Sequence, residues 1–427
     1  MTSSSPTEAK LQWAPWWVLA FVALWPLPGP AEAVLSLGAL VALTVLAIYR
    51  FRGGSRLLSH EAWALTSVLF MSYWLPELIS AIDGYDRARS LRESLLDLRY
   101  LPFLWLVAIA VANERGRRLT FSGLAVIASF WLLDGLVQAV TGHSLGGPMD
   151  ADRLSGIFGS ENLKLGLVLA SMAPFPLEWS ARRLGVAGWV LMAVGLVVVV
   201  LLAGARAAWV TLVLVLVASA WIQFGSRRAV ALLGAGGVAL ALVLYTCSDT
   251  LQERLNRTEA ALAGNVEGLD HALSGRLPIW KTAWRMALAH PVNGVGVRGF
   301  RIAYAEYADA DDPWLSDESH GAGYHAHQIV LEILSETGFI GLFFWLGGIA
   351  IAWRAWRFAT PEARLRARAP GLALLVTLFP FNTHLAFYST FWGGLTLLLA
   401  ALYAGSLLAD GSAAMASEDG QGDEGRS

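Results

Sequence analysis

Long apolar runs recur along the whole chain and are separated by short polar stretches. A membrane-spanning α-helix needs roughly 17 to 25 consecutive apolar residues. The pattern therefore predicts an all-α integral membrane protein with about twelve transmembrane helices. We place them near residues 13–29, 31–49, 62–82, 99–113, 120–142, 163–178, 185–204, 206–224, 229–247, 328–353, 370–388 and 390–408.

The longest polar stretch lies between the ninth and tenth predicted helices. It divides the chain into helices one to nine over residues 1–247, a large loop with amphipathic helices over 248–326, and helices ten to twelve over 327–409. Residues 410–427 are small, acidic and rich in glycine, a composition that predicts a disordered tail.

Basic residues occupy every second predicted loop. Loops of this kind face the cytoplasm, because Lys and Arg are retained on that side during insertion. Both termini are therefore predicted to be cytoplasmic and the 248–326 loop to lie on the outer side. An apolar run before Ala31 and Ala33 resembles a signal peptide with its cleavage site. Removing that run would disturb the alternation, so we predict an uncleaved first helix. The basic residues are Arg50, Arg52 and Arg56; Arg115, Arg117 and Arg118; Arg182 and Arg183; Arg227 and Arg228; and Arg354, Arg357, Arg364, Arg366 and Arg368.

The composition agrees with a membrane protein. Hydrophobic residues make up 56% of the chain and charged residues 15%, whereas soluble domains hold about a quarter charged residues. The net charge of -2 gives no electrostatic reason to expect a nucleic-acid partner. The single cysteine, Cys247, excludes an internal disulfide framework.

Three cations fall at the outer ends of predicted helices. Arg206 lies in the short turn between helices seven and eight, where a charge is costly and often functional. It can bind a phosphate there or extend toward the lipid headgroups. Arg153 and Lys164 precede or begin helix six on the same side. All three are candidate anion-binding residues.

The large loop contains a predicted amphipathic helix that begins near Arg276. Leu277, Trp280, Trp284 and Leu288 recur at helical spacing on one side, which favours a helix lying on the outer membrane surface. The backbone N–H groups at a helix start favour an anion, and arginine binds phosphate through two hydrogen bonds. Arg276 is therefore another candidate phosphate ligand.

Two histidines, His325 and His327, precede the tenth predicted helix. On a helix they would point to different faces, so that one acts while the other packs or contacts substrate. A metal site would need further ligands, and no clear third one is present. We therefore favour a base over a metal ligand for this pair, and which of the two histidines acts stays open at this point. His384 lies in the outer part of helix eleven and is a second-rank candidate, because histidine within a membrane is unusual.

Two further motifs resemble a dinucleotide-binding site and a metal site, but neither has the sequence context that such a site needs. Residues 294–299 match GxGxxG, but they follow no strand, which a dinucleotide fold requires. We interpret them as a tight turn that returns Arg298 and Phe300 to the membrane. Asp309 and Asp311 resemble a metal-binding pair, but acidic loop residues are common, and we predict no metal there.

Together, these residues resemble the bacterial O-antigen ligase family, part of a wider O-antigen ligase and polymerase group. The resemblance is strongest over residues 275–280, 291–300 and 327–341. Gln328 departs from the asparagine that commonly follows the histidine in the group. Arg206 in Gly-Ala-Arg and Arg153 in Arg-Leu-Ser-Gly also fit the family pattern.

This resemblance implies twelve helices with a large periplasmic loop between helices nine and ten, in the bacterial inner membrane. It also implies transfer of a glycan from undecaprenyl pyrophosphate to a sugar hydroxyl of lipid A-core, with inversion and without cofactor or metal. His327 would be the general base. Arg206 and Arg276, followed by Arg298 and Arg153, would hold the donor pyrophosphate. His325, Lys164, His384 and Trp280 are secondary candidates.

Three alternatives remain at this point. An O-antigen polymerase would use the same donor but another lipid-linked glycan as acceptor, and a protein O-oligosaccharyltransferase would use a protein. A polyprenyl-lipid transporter belongs to another class and would place charges through the membrane midplane, next to broken helices. The candidate charges cluster at the outer edge instead, which favours an enzyme.

Overall fold

The structure is a computed structural model that describes residues 12–51, 57–149, 153–160, 162–247, 273–316, 325–380 and 386–409, together with residues 252, 256, 268 and 270. Within this part the secondary structure is helical apart from one short hairpin, in which His143–Ser144 (β1) pairs antiparallel with Gly147–Pro148 (β2). The predicted all-α class is confirmed. His384 and the predicted tail over 410–427 lie outside the described residues.

Seventeen α-helices follow one another in the described residues, with a 3-10 turn at Gly156–Phe158. They are α1 (Ala14–Ala23), α2 (Pro28–Phe51), α3 (His60–Ser80), α4 (Arg87–Asp97), α5 (Tyr100–Ala112), α6 (Glu114–Thr141), α7 (Leu165–Met172), α8 (Pro174–Ala203), α9 (Arg206–Phe224), α10 (Arg227–Cys247), α11 (Leu277–Ala289), α12 (Phe300–Tyr307), α13 (Pro313–Ser316), α14 (Ile329–Phe358), α15 (Pro361–Arg366), α16 (Arg368–Thr377) and α17 (Thr390–Leu407).

The long helices make this a multi-pass membrane protein. In the described part of the chain, nine helical segments are long and apolar enough to span a membrane, and α1 and α16 are shorter apolar helices. Helix α8 is interrupted at Gly185, whose φ is 63°. The interruption separates the predicted sixth and seventh helices. The count of twelve crossings and the side of each loop stay predictions.

Helix α17 forms the centre of the bundle. It packs against α3, α5 and α16, and nearly all of its residues are buried. Its glycines allow the neighbouring backbone to approach, since a Cβ on Gly405 would lie 2.6 Å from the carbonyl oxygen of Ala108. Small residues at helix contacts are common within membranes, where close packing replaces the hydrophobic effect.

Helix α14 is broken at Gly338, and a loop fills the break. Gly338 has a φ of 64° and a ψ of -161°, so the helical hydrogen bonds are interrupted. The freed N–H groups of Phe339 and Ile340 donate to the carbonyl oxygens of Pro291 and Val292, at 2.8 and 3.1 Å. The loop over residues 291–296 in turn donates from its own N–H groups to carbonyl oxygens before the break. This pairing satisfies backbone groups that would be costly to bury alone.

Gly338→Ala is expected to destabilise the protein by about 2–4 kcal/mol, because the new side chain would force both backbone strain and overlap. Its Cβ would lie 2.4 Å from the carbonyl carbon of Val292. Gly347→Ala is the matched control, as nothing lies within 4 Å of a Cβ there. The measurement is the loss of monodisperse protein on heating in detergent. Equal stability of the two variants would contradict the docking of the loop.

Candidate active site

A cavity of about 220 Å³ lies between the start of α14, the loop before α12 and the start of α17. It brings together three of the residues predicted from the sequence, Lys164, Arg298 and His325. Two carboxylates that the sequence analysis did not single out also face it. Its lining residues are Lys164, Arg298, Arg301, His325, Glu332, Glu336, Ala386, Ser389, Phe391 and Trp392.

The two histidines lie side by side, and His325 lines the cavity while His327 is its neighbour. The ring centroids of His325 and His327 are 3.9 Å apart. Both residues precede α14, whose first turn is capped by the side chain of Gln328 accepting a hydrogen bond from the N–H of Leu331. The prediction that they point to different faces of a helix is therefore wrong, because they lie in a turn that brings the rings together. His327 has a φ of 51°, a conformation that few residues with a side chain adopt.

Arg298 lies among carboxylates, of which Glu336 contacts its backbone. Its backbone N–H donates to Glu336 Oε2 at 3.0 Å, and its guanidinium donates to Thr390 Oγ1 at 3.4 Å. Burial alone would lower the pKa of Arg298, but Glu336 and other nearby carboxylates outweigh this and raise it. Arg298 thus lines the cavity with its charge already partly balanced.

Glu332 and Glu336 are the functional candidates that the sequence analysis missed. Each side chain is 2% exposed, and their spacing of four residues places both on one face of α14. Glu332 Oε1 accepts from the N–H of Tyr388 at 3.2 Å, while Glu332 Oε2 is buried without a hydrogen bond. Carboxylates within an apolar run are expensive and usually functional, and that signal was present in the sequence.

Arg206 and Arg276 form a second cationic group. Arg206 begins α9 and donates to the hydroxyl of Ser274, two residues before Arg276. Burial, followed by repulsion from Arg206, lowers the pKa of Arg276 to about 10. Arg276 therefore stays charged at neutral pH. Two guanidinium groups this close favour an anion between them, since phosphate accepts hydrogen bonds from both.

Helix α11 connects this arginine pair with the histidines. Ile279 on α11 and Ala326, between the two histidines, belong to one fully buried apolar cluster. Arg276 comes directly before α11, one turn from Ile279. Packing of α11 thus holds Arg276 at the end of the bundle that carries His327.

One backbone N–H group at the start of α11 is bonded within the chain, while Arg276 as a phosphate ligand stays a prediction. The N–H of Leu277 donates to Asp270 Oδ1 at 2.9 Å. This N–H group is therefore already hydrogen-bonded to a carboxylate of the chain and does not bind an external anion in this structure. The predicted apolar stripe points away from the bundle, with Trp284 49% and Leu288 62% exposed. Trp280 is half-buried and does not line the cavity.

Of the predicted site residues that the structure describes, His327, Arg206, Arg276, Arg153 and Trp280 are not among those that line the cavity. Arg153 is half-buried before the Gly156–Phe158 turn and is not among the lining residues. Asp309 is paired with Lys281 and Arg285, at 2.6 and 2.7 Å, and these contacts lower the pKa of Asp309. Within the described residues no group of three or more potential ligands has metal-binding geometry. The absence of a metal stays a prediction.

Backbone strain coincides with the site. Among the described residues, the non-glycine positions with positive φ are Ser274, Arg298 and His327. One contacts Arg206, one lines the cavity and one is the predicted base. Strained backbone of this kind costs about 1–3 kcal/mol per residue and clusters at functional sites.

Glu336→Ala is expected to destabilise the protein by about 3 kcal/mol, because it leaves Arg298 without its buried carboxylate partner. Glu336→Gln is expected to cost less, since its amide oxygen can still accept from the N–H of Arg298. Glu306→Ala on the exposed side of α12 is the control. Thermal unfolding in detergent gives the ranking. Equal effects of all three would show that the Glu336–Arg298 contact contributes nothing.

Known proteins share part of this chain. Residues 187–346 match the sequence model of the family described as O-antigen ligase. The exopolysaccharide production protein ExoQ of Rhizobium meliloti (strain 1021) is 30% identical over 122 residues, which are 28% of this chain and 22% of that protein. The matched segment thus spans about a fifth of that relative.

The region matched by the family contains Arg206, Arg276, Arg298, His325 and His327, whereas Arg153 and Lys164 lie before it. It also includes the broken helix α14 up to residue 346. Residues 187–346 therefore carry the sequence pattern of the O-antigen ligase family.

Proposed function

We propose that this protein is an O-antigen ligase, a glycosyltransferase acting at the periplasmic face of the bacterial inner membrane. It would transfer a glycan from undecaprenyl pyrophosphate to a sugar hydroxyl of lipid A-core. The observation that carries the proposal is the strained His327, next to His325 at a cavity lined by cations. The match of residues 187–346 to the O-antigen ligase family supports the same reaction class.

In this mechanism His327 acts as general base. A sugar hydroxyl is a weak nucleophile, and a base within hydrogen-bond reach removes its proton as it attacks. The acceptor oxygen forms a bond to the anomeric carbon while the bond from that carbon to the pyrophosphate oxygen breaks. The bonding electrons leave with the pyrophosphate, and the proton passes to the imidazole and then to solvent. Attack opposite the leaving group inverts the anomeric carbon.

The arginines stabilise the leaving group. Charge grows on the pyrophosphate as the bond breaks, so fixed cations lower the barrier without needing to reorganise. Arg206 and Arg276 are proposed as the principal ligands, because their mutual repulsion is relieved when an anion lies between them. Lys164 and Arg298 add positive charge in the cavity. We assign Arg153 and Trp280 secondary roles with the lipid-linked donor, and His384 stays a candidate.

A second candidate is a polymerase that joins one lipid-linked glycan to another. It uses the same donor and the same base, and it differs only in the acceptor. The similarity to a protein named for exopolysaccharide production favours it. A protein O-oligosaccharyltransferase is the third possibility and would need a protein acceptor.

Two features of the structure support the transporter alternative, and one opposes it. Helix α14 is broken, and Glu77, Glu332 and Glu336 are buried carboxylates within candidate spans. The backbone groups at the break are, however, bonded to the loop over 291–296. In transporters such groups are exposed to bind substrate or ions, so the filled break favours the enzyme.

The test is a lipopolysaccharide gel from a ligase-deficient Gram-negative strain that supplies the matching glycan and core. We expect this protein to restore the high-molecular-weight ladder. No ladder, together with longer chains in a polymerase-deficient strain, would replace the ligase with the polymerase. Transport of the donor across vesicles without a covalent product would replace both with a transporter. His143→Ala, on an exposed hairpin, is the control variant and is expected to behave as wild type.

A further inference from the structure

A second charged cavity lies at the other end of the bundle. It has a volume of about 280 Å³ and lies between the start of α6, the first half of α8 and the helices α15 and α16. Its charged lining consists of Arg117, Arg118, Arg182 and Arg366, with Glu114 and Glu178. Arginines thus outnumber carboxylates by two.

This cavity is far from the histidine site. Helix α6 carries Arg117 near its first turn and Gln138 near its last. At about 1.5 Å per residue, these positions are roughly 30 Å apart, the thickness of a bilayer core. Gln138 accepts hydrogen bonds from the N–H groups of Ser155 and Gly156, at the end of the bundle where α7 and Lys164 begin. The two cavities therefore open at opposite membrane faces.

Among the residues that the structure describes, two of these arginines have no carboxylate within ion-pair distance. Glu114 pairs with Arg118, and Glu178 pairs with both Arg182 and Arg368. Within the described residues, Arg117 and Arg366 have no ion pair, and they donate to carbonyl oxygens at distances of 3.3 to 3.5 Å. Arg117 is close enough to Arg366 and Arg182 to be repelled by both, and Glu114, the carboxylate that attracts it, is already paired with Arg118. Such an arrangement is unfavourable unless an anion shares the space.

The remaining walls suit a lipid. Trp179 and Phe121 line the same cavity, and aromatic side chains concentrate at the headgroup level of membranes. Basic pockets between helices on the cytoplasmic side bind the headgroups of anionic lipids, because that leaflet is negatively charged. We propose that this cavity binds the phosphate group of an anionic phospholipid, with Arg117 and Arg366 as its principal ligands.

Native mass spectrometry of the full chain in detergent tests the assignment. The probes are phosphatidylglycerol and cardiolipin, compared with zwitterionic phosphatidylcholine. We expect at least tenfold tighter binding of the anionic lipids, lost in the double variant Arg117→Gln, Arg366→Gln. The matched control is Arg227→Gln, Arg228→Gln, which removes two exposed arginines at the start of α10 on the same predicted side.

Each outcome decides the proposal. Unchanged binding of anionic lipid by the Arg117 and Arg366 double variant would overturn it, as would equal loss in the control. Displacement of the lipid by equimolar inorganic pyrophosphate would assign the cavity to a soluble phosphate and overturn the lipid source. If the double variant does not fold, a photoactivatable phosphatidylglycerol is applied to the wild type. Labels within 114–122, 175–182 and 365–369 support the site, and labels elsewhere overturn it.

Discussion

His327→Ala is expected to lower glycan transfer by about 10²–10⁴-fold, the contribution of a positioned general base. Donor binding is expected to change little, because the arginines that hold the pyrophosphate are untouched. The measurement is the single-turnover rate of transfer by purified protein from a lipid-linked donor.

The backbone at His327 supplies a sharp control. With its φ of 51°, alanine there keeps the strain, whereas glycine relieves it and asparagine tolerates it. His327→Gly and His327→Asn are therefore expected to be at least as stable as His327→Ala but equally inactive. If His327→Gly regained activity along with stability, position 327 would act through the fold. His325→Ala is expected to cost less than His327→Ala, and the reverse order would exchange their roles.

Arg276→Gln is expected to lower transfer about 10²-fold, as removal of one charged donor to a developing oxyanion does. Stability is expected to stay the same or rise, because the change removes a partly buried charge next to Arg206. Residues needed for activity often lower the stability of the fold, so replacing them can stabilise the protein while it loses activity. Arg276→Lys is expected to recover only part of the activity, since lysine lacks the two-pronged contact with phosphate.

The pair itself can be tested with a double variant. If Arg206 and Arg276 bind one pyrophosphate, Arg206→Gln combined with Arg276→Gln is expected to lose less than the sum of the single effects. Arg285→Gln is the matched control on the same helix, because Arg285 pairs with Asp309 and does not line the cavity. Additive effects of Arg206→Gln and Arg276→Gln, or an equal loss in Arg285→Gln, would contradict a shared phosphate site.

Hydropathy predicted the helices well because apolar length is a property of the local sequence. It could not predict the break in α14, since the apolar run 328–353 continues through Gly338 without interruption. The break depends on a loop more than forty positions earlier in the chain, which supplies the hydrogen bonds that the helix gives up. Contacts of this kind leave no periodicity in either segment.

The sequence also did not predict which apolar face of a helix packs against the bundle. In α11 both sides carry apolar residues, and the structure buries Ile279, Ala283 and Met286 while Trp284 faces outward. Lipid and protein interiors are equally apolar, so composition does not tell which face packs. The predicted surface helix is compatible with this arrangement, but the buried side was not predicted.

Two cations of the cavity, Lys164 and Arg298, were singled out from the sequence, whereas its third cation, Arg301, and its carboxylates were missed. Arg298 and His325 were chosen as isolated residues, and the structure brings them to one cavity. Glu332 and Glu336 lay within the quoted motif but were treated as part of a helix. Their role follows from three-dimensional contacts, since Glu336 holds the backbone of Arg298. The adjacency of the two histidine rings likewise depends on a turn that periodicity does not describe.

The most direct test of the account is transfer by the purified chain in detergent. The protein is given a polyprenyl-pyrophosphate-linked glycan and lipid A-core, with EDTA present. We predict that lipid A-core gains the glycan, that one polyprenyl pyrophosphate is released per transfer, and that the new linkage has the opposite anomeric configuration. Glycans joined only to each other, or a donor that stays intact while His327→Ala behaves as wild type, would contradict the assignment.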